Sequence, residues 1–383
     1  MTDRIHLSRA HVTEVEETYV LEALRSGWVA PLGPMVDRFE REIAHRCGVQ
    51  GALALSSGTA ALHLALLDVG ARPGTFVVLP TMTFAASANA VAYTGAEPVF
   101  VDSGADANVD VELLLETVRA LQLEGLTVAA VMTVDLFGRC CDYTALEEPL
   151  AALGVPLIED AAEALGAGHG ARAAGSFGRA AALSFNGNKI MTTSGGGMLL
   201  SDDAELLDRA RYLSTQARQP APWYEHTEIG YNYRMSNILA ALGVGQLERL
   251  DSMIGRRREI RQRYVDGLAD IDGVAVLTGS DTQPNPDSEA NDNHWLTCIT
   301  LDPTRVDANP TTLMAGLDAV GIEARHLWKP MHLQPVHRGR RTRLTGVSEQ
   351  LFDTGVTLPS GSELDDEQID RVIRETRSIL HTR

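Results

Sequence analysis

The stretch Leu183-Ser184-Phe185-Asn186-Gly187-Asn188-Lys189-Ile190-Met191-Thr192-Thr193-Ser194-Gly195-Gly196-Gly197 decides how the chain reads. An apolar run ends there in small polar residues and a glycine turn, the form of a strand end that opens into a site. Lys189 stands at its centre, and of the 33 basic side chains only Lys189 and Lys329 are lysines. Arginine serves solubility and ion pairing as well or better, but its guanidinium keeps its proton and cannot attack a carbonyl as a free amine. Imine chemistry requires lysine, and a strand-end loop suits a Schiff-base lysine. The same residue equally suits an exposed position in an arginine-biased chain, so its neighbours decide.

Around this stretch, short β-rich runs at 76–79, 98–102, 128–134, 155–160, 180–184 and 197–200 alternate with helical segments. Such alternation predicts an α/β fold with a mostly parallel sheet covered by helices on both faces. Ligands of such sheets bind at the carboxyl ends of the strands. At 383 residues one core is too few, and the expected division is a large domain over 1–245 and a smaller C-terminal α+β domain over 246–383. A helix over 237–263, with Leu247, Leu250, Ile254 and Ile260 on one face, leads into the second domain. Arg256-Arg257-Arg258 within it reads as a solvated face. The turn-rich stretch 281–293 reads as a mobile loop.

A formal charge of −18 argues against nucleic acid or an anionic membrane as partner, since both are recognised through clustered positive charge. The N-terminus has no basic stretch followed by an apolar segment, and no run reaches membrane-span length, so the expectation is a cytoplasmic protein. Cys47, Cys140, Cys141 and Cys298 lack metal-ligand spacing and read as reduced, mostly buried thiols, with no metal expected.

Three other motifs stand in order with Lys189. Ser56-Ser57-Gly58-Thr59-Ala60 precedes a buried helical run, and a hydroxyl-rich loop at a helix N-terminus offers N–H donors to a phosphate, or simply caps the helix. Phe84, in Thr81-Met82-Thr83-Phe84, is placed to stack on a ring or to join the core. Asp160 ends the run 155–160, where its carboxylate can hold a pyridine nitrogen protonated or cap the next helix. Phosphate loop, aromatic, strand-end acid and lysine are together the parts of a pyridoxal phosphate site.

With Ser26-Gly27-Trp28, Glu159-Asp160-Ala161-Ala162, Ser184-Phe185 with Lys189, Gly230-Tyr231-Asn232-Tyr233-Arg234-Met235 and the segment from Arg325 to His332, these motifs resemble the DegT/DnrJ/EryC1/StrS aminotransferases over nearly the whole chain. The resemblance implies a pyridoxal phosphate-dependent transferase of fold type I acting on nucleotide-linked keto-sugars. It implies that Lys189 forms the Schiff base and Asp160 pairs with the pyridine nitrogen. Ser57, Gly58, Thr59, Ala60 and Ser184 would surround the phosphate, and Phe84 would stack on the ring. Asn232 would reach the neighbouring subunit's cofactor, making a homodimer with shared active sites. Glu163 departs from the commoner glutamine near the cofactor's phenolic oxygen.

Thr215-Gln216-Ala217-Arg218, Tyr224-Glu225-His226 and Leu327-Trp328-Lys329-Pro330-Met331-His332 resemble most the aminotransferases that place an amine at carbon 4 of a UDP- or dTDP-linked 4-keto-6-deoxyhexose, with L-glutamate as donor. Candidate substrate residues are Trp28, Arg218, His226, Arg234, Arg325, Trp328, Lys329 and His332, since arginine and lysine suit a pyrophosphate. Rival readings are an aminotransferase for a keto-cyclitol or aminobenzoate-type precursor and a non-catalytic protein of the same fold. A sugar 3-dehydratase typically has histidine in place of Lys189.

Overall fold

The computed structural model describes residues 4–277 and 291–381. Strands β1 (Gly51–Leu55), β2 (Phe76–Pro80), β3 (Glu97–Val101), β4 (Val128–Val134) and β5 (Leu157–Asp160) are followed by a small hairpin, β6 (Gly168–His169) and β7 (Arg172–Ala173). Then come β8 (Ala180–Ser184), β9 (Gly197–Ser201), β10 (Val274–Val276), β11 (Thr297–Leu301), β12 (Arg325–His326), β13 (Arg341–Arg343) and β14 (Gly355–Leu358). The large sheet has the order β1-β9-β8-β5-β4-β2-β3-β13. Its pairs are parallel from β8 through β13, while β9 runs antiparallel to both β8 and β1.

Side chains alternate across a strand, so each strand feeds two cores. Leu53, Leu55, Val77 and Leu79 pack under the helices Gly58–Asp68, Ala85–Thr94 and Ala204–Ser214. Ala52, Ala54, Phe76 and Val78 pack on the opposite side, against helices that include Pro34–Cys47, Val111–Leu123 and Asn237–Glu248. Being covered on both faces is what makes the strands read as continuous apolar runs. The edge strand β1, Gly-Ala-Leu-Ala-Leu, carries no β-branched residue and is not among the expected strands; its place comes from pairing with β9.

A second sheet, β10-β11-β14-β12, packs with the helices Leu250–Leu268, Pro310–Ala319 and Asp366–His381 around its own core of Ile299, Leu313, Leu317, Val356 and Ile369. Two segments cross between the units. Ile5 bridges to Ile322, and β13 joins β3 at the edge of the large sheet, where its exposed arginines discourage further strand addition.

Two expectations need correction. The helix expected over 237–263 is two helices, broken at Arg249, whose guanidinium donates to Glu16 Oε1 at 2.8 Å and to the carbonyl of His11 at 3.1 Å. The apolar spacing is continuous across the break, so only the tertiary pairing marks it. The arginine run is not a solvated face at Arg257, which is buried and donates to the carbonyls of Trp295 (2.6 Å) and Ser360 (2.8 Å) and to Ser8 Oγ (3.1 Å). Burial lowers the pKa of its guanidinium to about 10. Of the stretch 281–293, residues 281–290 lie outside the described residues; Asp292 is buried and pairs with Arg139 at 2.6 Å.

All four cysteines are free and buried. Among the described residues no helix is long and apolar enough to cross a membrane.

Candidate active site

β5 and β8 are parallel neighbours, so their carboxyl ends bring Asp160 and Ser184 to one edge of the sheet. Glu159 points to the opposite face and accepts the amides of Gly175 and Phe177 at 2.7 and 2.8 Å. Asp160 is only 4% exposed. Ser87 Oγ donates to its Oδ2 at 2.7 Å and the Ala162 amide to its Oδ1 at 3.2 Å. Burial raises its carboxyl to about 6, against the lowering effect of these donors and of the Lys189 charge. Ser87, braced by Thr83 Oγ1 at 2.7 Å, escapes a sequence reading because a serine inside an alanine-rich helix carries no local mark of its partner.

Ser57 caps the helix Gly58–Asp68, its hydroxyl accepting the Ala60 amide at 3.1 Å. Capping and ligand binding are therefore not exclusive here. The Ala60 amide is used, whereas the amides of Gly58 and Thr59 have no partner among the described residues, and at a helix start they carry positive partial charge. The turn needs glycine on both sides. A Cβ on Gly58 would lie 3.1 Å from that of Ser184, and a Cβ on Gly197 would lie 2.3 Å from the Gly58 nitrogen. Gly197→Ala is expected to displace this loop, costing about 1–3 kcal/mol of stability and weakening pyridoxal phosphate retention roughly ten-fold, as read by thermal melting and cofactor titration.

The loop between β8 and β9 is tied down at several points. The Phe185 amide donates to the Gly196 carbonyl at 2.9 Å, the Lys189 amide donates to the Asn186 carbonyl at 3.1 Å, and the Asn188 carbonyl accepts Trp295 Nε1 at 2.7 Å and Ser8 Oγ at 3.0 Å. Lys189 Nζ donates to Glu163 Oε1 at 3.2 Å and lies 4.2 Å from the Trp295 ring centre and 5.8 Å from that of Phe84. Glu163 is buried, and its Oε2 accepts the Phe137 amide at 2.9 Å. Trp295 carries no sequence signal of this role: it follows the loop stretch 281–293 and reaches Lys189 only through the fold.

These groups line or adjoin a cavity of about 340 Å³ bounded by Ser57, Gly58, Thr59, Phe84, Asp160, Ser184 and Lys189, with Trp295 and Trp328. Ala60 and Asn232 are not on its wall. Free helix-start amides, a dry carboxylate short of a cation and a lysine fit pyridoxal phosphate: Gly58, Thr59 and Ser184 at the phosphate, Asp160 at the ring nitrogen, Lys189 at the aldehyde carbon, and Phe84 at a ring face. Phe84 is 53% exposed and meets Trp328 edge to face at 6.0 Å.

The cavity adjoins a cleft of about 1180 Å³, whose wall shares Phe84, Asn188, Trp295 and Trp328 with it and includes Arg325 and Lys329. The other candidate substrate residues lie off both walls. Arg234 is buried and pairs with Glu40 at 3.0 Å. His332 bonds Thr81 Oγ1 at 2.7 Å and Glu349 at 3.2 Å. Arg218 and His226 face each other across an exposed loop, where Arg218 covers the Tyr224 ring at 4.4 Å. Trp28 and Asn232 are exposed.

The family model for DegT/DnrJ/EryC1/StrS aminotransferases matches residues 11–377. EpsN of Bacillus subtilis is 42% identical, covering 100% of this chain and 97% of its own length. The GDP-perosamine synthase of Caulobacter vibrioides is 36% identical, covering 98% of each chain. A solved aminotransferase of the same family from Brucella abortus superposes with a TM-score of 0.87 at 31% identity, covering 96% of each chain. With a match from end to end and the lysine, acid and helix-start loop in one cavity, the chain belongs to the DegT/DnrJ/EryC1/StrS family and is a pyridoxal phosphate-dependent sugar aminotransferase.

Proposed function

We propose that this protein transfers the amino group of L-glutamate to carbon 4 of a 4-keto-6-deoxyhexose linked to UDP or dTDP. The observation that carries this is the junction of two spaces: the cavity holding Lys189 and Asp160 opens beside a cleft several times larger than glutamate needs. Bound pyridoxal phosphate supplies an electron sink. Lys189 Nζ takes the proton from the substrate carbon and returns it, a role for a mobile amine beside the cofactor. Asp160 holds the ring nitrogen's proton, and its dry surroundings keep that interaction strong. Gly58 and Thr59 orient the phosphate through their amides, while Trp295 excludes water from the lysine. The 36% identity to a GDP-perosamine synthase favours a second reading in which the sugar is GDP-linked.

Incubation with glutamate and each of the UDP-, dTDP- and GDP-linked 4-keto-6-deoxy sugars, with NMR of the product, tests both. Release of 2-oxoglutarate without amination of any sugar nucleotide would favour the cyclitol or aminobenzoate readings. Failure to release it at all would remove L-glutamate as the amino donor.

The working unit in this proposal is a homodimer in which Asn232 serves the partner's site. Asn232→Ala and Lys189→Ala proteins, each impaired alone, are then expected to recover about a quarter of wild-type activity when refolded together, since half the dimers are mixed and each holds one intact site. Activity no higher than the average of the two parents would place Asn232 in its own subunit's site or in neither.

A further inference from the structure

Resting on the sugar-nucleotide reading above, we propose that Arg9, on the N-terminal segment, is a substrate-binding residue that holds the substrate's diphosphate together with Lys329. The cleft wall carries four cationic side chains, Arg4, Arg9, Arg325 and Lys329, and two carboxylates, Asp318 and Glu323. Its surplus is two positive charges, in a chain whose formal charge is −18. A local surplus of that sign on an acidic protein suits an anionic ligand, and a diphosphate diester carries two negative charges.

The pairing within the cleft separates the cations. Arg4 is bonded to Asp318 at 2.6 Å, and Arg325 to Glu323 at 2.8 Å, with His6 also facing Glu323 at 3.4 Å. The guanidinium of Arg9 and the ammonium of Lys329 have no hydrogen-bond or ion-pair partner among the described residues. Arg325, a candidate from its sequence position, is thus already neutralised. Arg9 carries no motif, and only the fold brings it to the wall of the cleft that Lys329 also lines.

Arg9 is also held where a fixed cation is needed. Its segment is pinned by the Ile5 amide on the Gly321 carbonyl at 2.9 Å, the Ser360 amide on the Leu7 carbonyl at 2.8 Å, and Ser8 Oγ on the Asn188 carbonyl at 3.0 Å. Its own amide donates to Glu363 Oε1 at 3.1 Å. The same segment therefore touches the peptide next to Lys189 and projects Arg9 into the cleft. A guanidinium able to bind bidentately and a compact ammonium lining the same cleft can together hold a diphosphate while leaving the sugar to reach Lys189.

The test is calorimetric titration of the pyridoxal phosphate-loaded protein with UDP, dTDP and GDP, continued with whichever binds tightest. Arg9→Gln is expected to weaken that diphosphate roughly ten-fold or more, with partial recovery in Arg9→Lys, which keeps the charge but loses the fork. Arg4→Gln, removing a cation already paired, should change affinity less than about two-fold. Thermal melting confirms folding, and Arg9→Lys retains the test if Arg9→Gln proves unstable. Wild-type affinity in Arg9→Gln, with loss in Lys329→Gln, would overturn the role of Arg9 and leave the sugar-nucleotide reading standing. If the wild-type protein binds none of the three diphosphates, both fall together.

Discussion

Lys189→Ala is expected to abolish transamination, with turnover reduced about 10⁴-fold or more, because in the proposed mechanism one side chain both anchors the cofactor and moves the proton. The variant should fold. Lys189 is an exception in its surroundings, a cation among Trp295, Phe84 and Glu163, and its removal leaves the loop's own backbone hydrogen bonds in place. Treatment with pyridoxal phosphate and borohydride, followed by mass spectrometry, should add the cofactor's mass to the wild-type chain at Lys189 and nothing to the variant at that position. Lys189→Arg should behave alike, since a guanidinium does not form the bond. A normal rate in either variant would refute the assignment of the lysine.

Asp160→Asn is expected to lower turnover on the order of 10²- to 10³-fold while making the cofactor-free protein more stable at alkaline pH. In the unfolded chain an aspartate titrates near its ordinary value of 3.8, but burial lifts Asp160 to about 6 in the folded protein. Between roughly pH 4 and 6 the folded state retains a proton that the unfolded state has lost, so stability falls as pH rises through that window, and the deficit is complete above it. The shift bounds the deficit at about 3 kcal/mol. Asparagine carries no charge and escapes it, though one of the two donors, Ser87 or the Ala162 amide, loses an ideal acceptor at a cost of about 1 kcal/mol. The net gain should raise melting at pH 8 by about 2–5 °C. With pyridoxal phosphate in excess the order should reverse, because the ionised aspartate then has a protonated ring nitrogen to bind and the amide does not. A variant that melts like wild type in both states, with normal turnover, would make Asp160 a mere cap.

Much of the candidate active-site cavity lies in local sequence patterns. Asp160 and Ser184 end apolar runs, and runs buried on both faces read plainly as parallel strands whose carboxyl ends collect ligands. Ser57, Gly58 and Thr59 stand at the start of a helix apolar nearly all round, which is legible as a buried helix whose N-terminus offers amide donors. Lysine scarcity marks Lys189, and the order of these parts, with the family resemblance, points to the cofactor. Such features depend on neighbours in the chain, so a single sequence contains them.

What the tertiary structure decided depends on residues far apart in the chain, where no local pattern operates. Ser87 meets Asp160 across 73 positions, and Trp295 meets the Asn188 carbonyl across 107. Arg257 reads as part of a charged helix surface, yet burial turns it into a donor to three separate segments. The same holds among the cations of the cleft: identical in charge along the sequence, they differ once Asp318 and Glu323 have paired with Arg4 and Arg325 and left Arg9 and Lys329 without a side-chain partner among the described residues. Sequence chemistry determines which groups can ionise or donate, whereas the dielectric around each and the partner it meets are properties of the folded packing alone.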